Sequence, residues 1–197
     1  MVRALVVYSH PRDDSLAAAA RDRVLQGLAE AAAEVRTIDL YAEGFDPRLS
    51  AEEHRLHRAD PSTKPHLAEH AALLRWCDTV VLVYPTWFGT LPAMLKGWFE
   101  RVWVNGIASQ VRDGGRPPAP LLRNIRRIVA VTSHGSPKWV NALQGEAGKR
   151  MLQRALRASV GTRCRIEWLA IYGLDRNTER DRAAFLDRVR RRCARMR

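Results

Sequence analysis

The chain has 197 residues, a hydrophobic content of 46% and a formal net charge of +12. Its length and composition predict one packed domain spanning residues 1–197, and no apolar run approaches the roughly 20 residues of a membrane span. Arginines are interspersed with Glu and Asp, and no recognition module accompanies them. We therefore interpret the charge as a solvated basic surface and expect no nucleic-acid partner.

The cysteines and the first residues bear on the compartment. Cys77, Cys164 and Cys193 are odd in number and form no close motif, which argues against a disulfide scaffold or a zinc site. The first residues run directly into a strand-like segment without a small-residue cleavage site, so we expect no secretory signal. These features predict a cytoplasmic protein.

The hydrophobic pattern predicts five strands that alternate with helices. Apolar or alternating runs predict strands at residues 3–8, 35–41, 79–84, 127–132 and 165–172. Helix formers and caps predict helices at 15–33, 67–77, 92–104 and 145–159, and others beginning at Ser50 and Thr178. Residues 110–120 are predicted to form an irregular exposed loop. This order predicts an α/β fold: a doubly wound, five-stranded parallel sheet with helices on both faces.

The first of three informative loops follows strand one. Such sheets bind ligands at the carboxyl ends of their strands. Residues 9–16 lead into a helix N-terminus with Ser15 at the cap, where free N–H groups and the helix dipole suit a phosphate. His10 and Arg12 would add charge-assisted contacts. The alternative is that Ser15 only caps the helix. No glycine-rich fingerprint is present, so neither a P-loop nor a dinucleotide motif applies.

The second and third loops follow strands three and four. Trp87, Phe88 and Gly89 would present apolar rings and backbone N–H groups, which suit a flat heteroaromatic ring with polar edges. Alternatively, the two rings cover the end of the sheet as core. The third loop, residues 132–139, offers hydroxyls, a glycine and Trp139, and its alternative interpretation is a plain polar turn.

The second loop belongs to a long and specific motif. Residues 84–103, YPTWFGTLPAMLKGWFERVW, resemble a pattern of the flavodoxin-like NAD(P)H:quinone oxidoreductases, P-x-W-W/F-G-x-x-P-A-x-L-K-G. This group includes quinone reductases, modulators of drug activity and ancillary subunits of potassium-efflux systems. The resemblance spans nearly the whole chain, with weaker support from residues 44–50 and 121–124. At residues 132–135 the family usually has Thr-Thr-Gly-Gly, and His134 replaces the first of those glycines.

The resemblance implies a flavodoxin-like fold and a bound flavin. Carried over residue by residue, it implies phosphate contacts from His10, Arg12, Ser15 and Leu16, isoalloxazine contacts from Pro85, Thr86, Trp87, Phe88 and Gly89, and contacts to the other rim from Thr132, Ser133, His134 and Gly135, with Trp139 nearby. We expect FMN, with FAD as the alternative, because no segment can be assigned to an adenine pocket. No catalytic residue is assigned, because Ala147 stands where well-known quinone reductases have a histidine that assists hydride transfer.

The resemblance also implies an activity. It predicts a homodimeric enzyme that takes a hydride from NADH or NADPH and passes two electrons to a quinone-like acceptor. The alternatives are a flavin-binding regulatory subunit of a membrane potassium-efflux system and a flavodoxin-type electron carrier. Carriers usually present acidic docking surfaces, which the net charge disfavours. Two histidine pairs, His54 with His57 and His66 with His70, have metal-binding spacing but lack a third ligand, so we expect no metal.

Overall fold

A five-stranded parallel sheet forms the centre of the protein, whose computed structural model describes residues 1–56, 67–112 and 114–196. Its strands are β1 (Arg3–Tyr8), β2 (Glu34–Asp39), β3 (Thr79–Pro85), β6 (Arg127–His134) and β7 (Arg165–Tyr172), in the order β2-β1-β3-β6-β7. Every neighbouring pair is parallel. A separate antiparallel pair joins β4 (Ser109–Gln110) to β5 (Ala119–Pro120). The predicted fold class is confirmed.

Helices connect the strands. They are α1 (Leu16–Glu30), α2 (Ala51–Arg55), α3 (Ala68–Trp76), α4 (Ala93–Val102), α5 (Lys138–Leu143), α6 (Ala147–Arg150), α7 (Arg157–Val160) and α8 (Glu179–Ala194), with a π-helical turn at Met151–Ala155 and a 3₁₀ turn at Leu174–Arg176. Three begin at side-chain caps that the sequence predicts. Ser15 accepts a hydrogen bond from the N–H of Ala18, and Ser50 and Thr178 each form a complete capping box. Such caps satisfy N–H groups that have no partner within the helix.

The sheet buries both of its faces. Successive strand residues point to opposite sides, so Val81 packs on one face and Val80 on the other. Helices α1 and α8 cover the first face, and α3 and α4 cover the second. Because both faces are covered, the strands have nearly continuous apolar sequences, as the buried run from Thr79 to Tyr84 illustrates.

Two sequence predictions need correction. The predicted helix at 145–159 begins only at Ala147, because Gly145 and Glu146 adopt positive φ angles of 81° and 47°. From there α6, the π-helical turn and α7 follow one another as far as Val160. Helix α5 lies just before this segment and was not predicted. The predicted irregular loop at 110–120 is ordered at both ends, where β4 and β5 pair. Composition could not reveal this pairing, since its partners lie nine and eleven residues apart.

The histidine pairs fall only partly within the described ranges. His57 and His66 lie outside them. His70 accepts a hydrogen bond of 2.9 Å from the indole N–H of Trp98 and stacks on Phe45, and burial lowers its pKa. In the described ranges, no cluster of three or more His, Cys, Asp or Glu side chains is placed to hold a metal ion. No helix there is long and apolar enough to cross a membrane.

Candidate functional site

The three loops selected from the sequence meet at the carboxyl edge of the sheet. Strands β1, β3 and β6 are neighbours there, with Tyr8 opposite Val83 and Pro85 opposite Ser133. The N–H of Ser9 donates to the carbonyl of Val83 at 3.0 Å, and the N–H of Thr86 donates to the carbonyl of Ser133 at 2.9 Å. These cross-strand bonds hold the beginnings of all three loops in register.

The first loop presents free N–H groups at the start of α1. The side chain of Ser15 accepts from Ala18 N–H at 3.1 Å and donates to the carbonyl of Arg12 at 3.0 Å. This leaves the N–H groups of Leu16 and Ala17 without an acceptor in the part of the chain that the structure describes. Unpaired N–H groups at the positive end of a 15-residue helix form a site for an anion.

The charged side chains of this loop bond to the loop itself. The guanidinium of Arg12 donates two hydrogen bonds of 2.8 Å to the carboxylate of Asp14, and this pairing holds the pKa of Asp14 below its usual range. The ring nitrogen Nδ1 of His10 lies 3.1 Å from both the N–H and the carbonyl of Arg12. Arg12 therefore reaches the site as half of a neutral ion pair rather than as a free cation, which the sequence did not indicate.

The second loop is a tight turn that displays two aromatic rings. The N–H of Trp87 donates to the carbonyl of Thr90 at 3.1 Å, and the reverse bond measures 3.0 Å. Between them, Phe88 and Gly89 have φ angles of +48° and +70°, as in a type I′ turn. The side chain of Phe88 is fully exposed and that of Trp87 is 62% exposed. Within the described ranges the N–H groups of Phe88 and Gly89 meet no acceptor.

The third loop buries a histidine beside an asparagine. His134 and Asn141 are only 6% and 4% exposed, and Nδ1 of His134 lies 2.7 Å from Oδ1 of Asn141. The amide nitrogen of Asn141 donates to the carbonyls of Ser136 and Pro137. Its oxygen is therefore left to accept, so the histidine carries its proton on Nδ1.

This arrangement fixes the protonation state of His134. With the proton on Nδ1, the other ring nitrogen, Nε2, carries a lone pair, and in the described part of the chain it has no hydrogen-bond partner. The ring stacks on Tyr172 at a centroid distance of 4.5 Å. Burial lowers the pKa of His134, because a buried site disfavours the charged imidazolium. His134 is thus a neutral acceptor, which differs from the flexible glycine usual in the family pattern.

Two clefts open on either side of the Trp87–Thr90 turn. A cleft of about 570 Å³ combines His10, Arg12, Ser15 and Trp87 from the predicted site with Pro11, Asp14 and Tyr41. A second, of about 530 Å³, combines the predicted Thr86, Phe88, Gly89, His134 and Gly135 with Ser136, Pro137, Asn141, Gln144, Gly173, Asp175 and Arg176. Both volumes lie in the usual range of small-molecule sites.

The remaining predicted residues have more varied positions. A narrow cavity between α1, α8 and the ends of β3 and β6 is lined in part by Leu16, Thr132 and Ser133. Pro85 ends β3 beneath the turn. Trp139 lies on α5 with 66% of its side chain exposed and lines neither of the two clefts.

Several residues that line the clefts were not predicted from the sequence, because they lie outside the three loops. Tyr41 follows β2, Gln144 follows α5, and Asp175 and Arg176 lie on the 3₁₀ turn after β7. None stands in a motif, but the turn after β7 lies beside β6 and is therefore a neighbour of the third loop. The order of the strands was thus the one feature from which a contribution of this turn to the site could have been predicted.

Buried polar atoms without partners test whether a cofactor fits this edge. Among the described residues, seven buried side-chain atoms lack a hydrogen-bond partner. Four of the seven lie at the carboxyl ends of β1, β3 and β6: Ser9 Oγ, Tyr84 Oη, Thr132 Oγ1 and His134 Nε2. Burying such atoms unpaired costs free energy, so their concentration marks a polar ligand site. Together with the anion site and the exposed rings, these groups fit a flavin mononucleotide.

Comparison with known proteins supports a flavodoxin-like protein. A family model described as a flavodoxin-like fold matches residues 2–195, so the chain belongs to the flavodoxin-like fold family. This confirms the resemblance stated from the sequence.

Individual relatives carry related descriptions. The chain is 38% identical over 117 residues to an uncharacterized NAD(P)H oxidoreductase of Escherichia coli K12, YcaK, covering 59% of each chain. It is 30% identical over 166 residues to NAD(P)H dehydrogenase [quinone] 1 of Rattus norvegicus, covering 74% of this chain and 58% of that one.

A solved structure resembles the whole chain. The NAD(P)H:quinone oxidoreductase from Methanothermobacter marburgensis superposes with a TM-score of 0.83 at 24% identity, covering 100% of this chain and 99% of that one. At this identity the likeness shows the fold. By contrast, the chain spans 54% to 59% of the length of five curated relatives that it matches.

Proposed function

We propose that this protein is a flavin-dependent NAD(P)H oxidoreductase that transfers two electrons from a nicotinamide nucleotide to a quinone-like acceptor. The observation that carries the proposal is the convergence of three loops at one sheet edge. One presents the free N–H groups of α1, one presents two exposed aromatic rings, and one presents a buried neutral histidine. The descriptions of the relatives point to the same reaction class.

The residues present would hold the flavin at both ends. The N–H groups of Leu16 and Ala17 would bind its phosphate, supported by the hydroxyl of Ser15. The N–H groups of Phe88 and Gly89 would bond the polar rim of the ring, and Trp87 would contact its face. We favour FMN over FAD because the sequence offers one phosphate-binding loop and no segment assignable to an adenine pocket.

The chain's own groups then prepare the site for electron transfer. A bound flavin supplies the redox chemistry, accepting a hydride from NADH or NADPH and returning two electrons to an acceptor. The neutral His134 adds no charge to the second cleft, whose charged lining residues among those described are Asp175 and Arg176, and its Nε2 can accept a hydrogen bond from a polar N–H or O–H. Phe88 lines this cleft and Trp87 lines the neighbouring one, so each ring would lose contact with water when a ligand binds beside it.

The exposed surface near the clefts suggests a homodimer. Trp139 and Leu143 are 66% and 79% exposed on α5, close to the second cleft. A second copy of the chain would bury these side chains and narrow the cleft. Light scattering on the protein as it elutes from a size-exclusion column should give a molar mass of about twice the 22.3 kDa of one chain. A monomer at micromolar concentration would refute the dimer.

A cytoplasmic location is part of the proposal. All three cysteines are buried as free thiols, which is typical of proteins in reducing compartments. Fractionation of the source cells with antibody detection would test this, and recovery in a secreted fraction would contradict it.

The first experiment tests the cofactor. Protein purified without added flavin, or reconstituted with FMN, should show flavin absorption bands, and chromatography of the heat-released cofactor should identify FMN. FAD in the released fraction would correct the cofactor assignment. Protein that stays colourless and quenches neither FMN nor FAD fluorescence would refute the proposal.

The second experiment tests the reaction. Initial rates measured while NADH or NADPH and a benzoquinone are varied together should give parallel double-reciprocal lines, because one cleft serves both substrates in turn. Intersecting lines, or the release of one-electron semiquinone product, would contradict the two-electron exchange.

A further inference from the structure

A second large cleft lies at the opposite, amino-terminal edge of the sheet. It has a volume of about 630 Å³ and is lined by residues that precede or begin β1, β3, β6 and β7, together with the end of α7. The strands between the two edges are six to eight residues long, so the clefts are separated by about 20–26 Å at roughly 3.3 Å per residue. This site is independent of the proposed oxidoreductase site.

Arginines dominate the lining of this cleft. We name it the arginine cleft, defined by Arg123, Arg126, Arg163 and Arg165, all of them exposed, with the more buried Arg127 at its base. Asp78 is the one acidic residue in the lining within the described part of the chain. Counting five arginines and one aspartate, the lining carries a formal charge of +4.

The four defining guanidiniums have no partner among the residues that the structure describes. In the described ranges none makes a side-chain hydrogen bond or an ion pair. Other arginines of the protein are bound internally: Arg101 pairs with Glu53 at 2.8 Å, and Arg190 pairs with Glu30 at 3.0 Å. Bringing four free cations to one concave surface is unfavourable unless an anion balances them.

The neighbouring acids balance only part of this charge, because Asp78 is one carboxylate beside five arginines. Both carboxylate oxygens of Asp78 already accept hydrogen bonds, one from the N–H of Arg3 at 3.1 Å and one from the hydroxyl of Thr79 at 2.9 Å. Glu167 lies 3.6 Å from Arg127 and is also held by Arg192. Its charge is therefore shared by two cations that are not among the four.

The cleft has a firm floor. The carbonyl of Asp78 accepts hydrogen bonds from the N–H groups of Arg126 and Arg127 at 2.7 and 3.2 Å, and the N–H of Arg165 donates to the carbonyl of Arg126 at 2.9 Å. These bonds fix the backbone from which three of the arginines project. Less ordering is then needed when a ligand binds.

The shape and composition of the lining identify the ligand class. The planar fork of a guanidinium matches phosphate oxygens, and several forks together select a ligand with several phosphates. Among the residues that the structure describes, no aromatic one lines the cleft, so these residues offer no stacking surface of the kind with which single-stranded nucleic acids are bound. We propose that the arginine cleft binds a compact polyphosphate group, either a free polyphosphate chain or the triphosphate of a nucleotide.

Calorimetry with sodium tripolyphosphate tests the proposal on the full chain at 150 mM salt. The wild type should bind saturably, and Arg126→Gln/Arg163→Gln should bind at least tenfold more weakly. The control Arg116→Gln/Arg180→Gln removes the same charge from exposed arginines that do not line the cleft, and its affinity should stay within threefold of wild type. Circular dichroism checks that each variant folds, and Arg165→Gln alone replaces the double variant if it does not.

The outcomes distinguish a nucleotide from a free polyphosphate chain, and a polyphosphate site from a nucleic-acid surface. ATP that binds as tightly as tripolyphosphate, and is lost in the same variant, assigns the site to a nucleotide. Binding of tripolyphosphate alone assigns it to a free chain. Absence of saturable binding to wild type, or equal losses in the cleft and control variants, overturns the proposal. So does tighter binding of a twenty-nucleotide oligothymidylate, which would make the cleft a nucleic-acid surface.

Discussion

Phe88 occupies a backbone conformation that an aromatic residue seldom adopts. Its φ of +48° is left-handed, and its ring is fully exposed. Packing of the ring therefore contributes no stability that would offset the backbone strain. Left-handed geometry costs an L-residue roughly 1–2 kcal/mol. Strain of this kind is typically retained at functional sites, which is consistent with a ring displayed for a ligand.

Replacing Phe88 by Asn should separate stability from binding. Asn tolerates the left-handed region, so the free energy of unfolding should rise by up to about 1 kcal/mol while flavin affinity falls. Phe88→Leu is the matched control, because it keeps the strain and an apolar side chain and should leave stability unchanged. Urea unfolding and flavin fluorescence titration measure the two effects. An unchanged flavin affinity of the Phe88→Asn variant would show that the ring of Phe88 does not contribute to flavin binding.

His134 should make stability depend on pH. Burial lowers the folded-state pKa of His134 below the usual value for histidine, so the unfolded chain takes up this proton first as pH falls. Stability is then full above about pH 6.5 and declines below it, by at most about 1.4 kcal/mol per pH unit for one group.

The variant His134→Gln should lose part of this pH dependence. Urea unfolding of wild type and variant at pH 7.5, 6.0 and 5.0 should show a smaller decline in the variant. His70, whose pKa is also lowered by burial, contributes equally to both proteins and cancels in the comparison. Identical declines would mean that His134 titrates normally in the folded protein.

Individual site residues were predictable only where a motif or a loop position identified them. Ser15 was found because a hydroxyl before a helix is a cap signal, and the structure confirms the cap. Asn141 gave no such signal, since its role depends on a contact with His134 across a loop whose path the sequence does not specify. The pairing of Arg12 with Asp14 was missed because either side chain was free to turn toward solvent or ligand.

At the scale of the element, the start of α1 combines a cap with a proposed phosphate contact. Ser15→Asp should keep the cap, because Asp caps as well as Ser, but it places a negative charge beside the phosphate. We expect a loss of about 2–4 kcal/mol, or roughly 30- to 1,000-fold in flavin affinity, with little change in stability.

A neutral variant controls for the shape of that substitution. Ser15→Asn also caps but adds no charge, so it should weaken flavin binding much less than Ser15→Asp. Fluorescence titration of FMN into each apoprotein measures both. An affinity of Ser15→Asp within threefold of wild type would show that the phosphate lies elsewhere.

The contact between α1 and α8 should tolerate no extra methyl group. A Cβ on Gly27 would lie 2.3 Å from the carbonyl oxygen of Arg190 and 2.7 Å from Cβ of Cys193, so the helices must separate. In a helix Ala is intrinsically better than Gly by about 1 kcal/mol, but overpacking costs about 1–3 kcal/mol or more. We expect Gly27→Ala to lower the melting temperature by several degrees.

A second substitution in α1 calibrates the helix propensity. Ala29→Gly changes an exposed position of the same helix and should cost about 1 kcal/mol without any clash. Calorimetric melting of both variants separates packing from propensity. A Gly27→Ala variant at least as stable as wild type would show that α1 and α8 adjust freely.

At the scale of the whole molecule, the pattern of apolar residues predicted the five-stranded sheet, and the motif at residues 84–103 predicted the family. The five parallel strands follow from apolar runs long enough to be buried on both faces, as in β3. The region from α5 to α7 was predicted incorrectly, because Gly145 directly follows the C-cap of α5: its N–H donates to the carbonyl of Ala142, and the N–H of Glu146 donates to the carbonyl of Asn141, each at 3.0 Å. A glycine at this position is a helix-end signal, whereas the prediction placed it inside a helix. The arginine cleft was likewise hidden, since its residues are distant in sequence and meet only through strand order.

The buried thiols provide a test of the whole fold. Burial raises the pKa of Cys77 and Cys193 to about 12 and that of Cys164 to about 11, and thiolates are the reactive form. At pH 8 none should react with a disulfide reagent within minutes, whereas all three should react in urea. Ala29→Cys, at an exposed site, is the reactive control. Rapid labelling of any native thiol would contradict the buried positions.

The packing of α1 against α8 also constrains synthesis of the protein. Helix α1 ends at Glu30 and its partner at Ala194, so about 160 residues must leave the ribosome before the two can meet. At about 5–20 residues per second this takes roughly 10–30 s. Throughout that time the apolar side of α1 that α8 will cover remains open to solvent or to a chaperone. A nascent chain stalled before residue 179 should therefore be far more sensitive to protease than one released at full length.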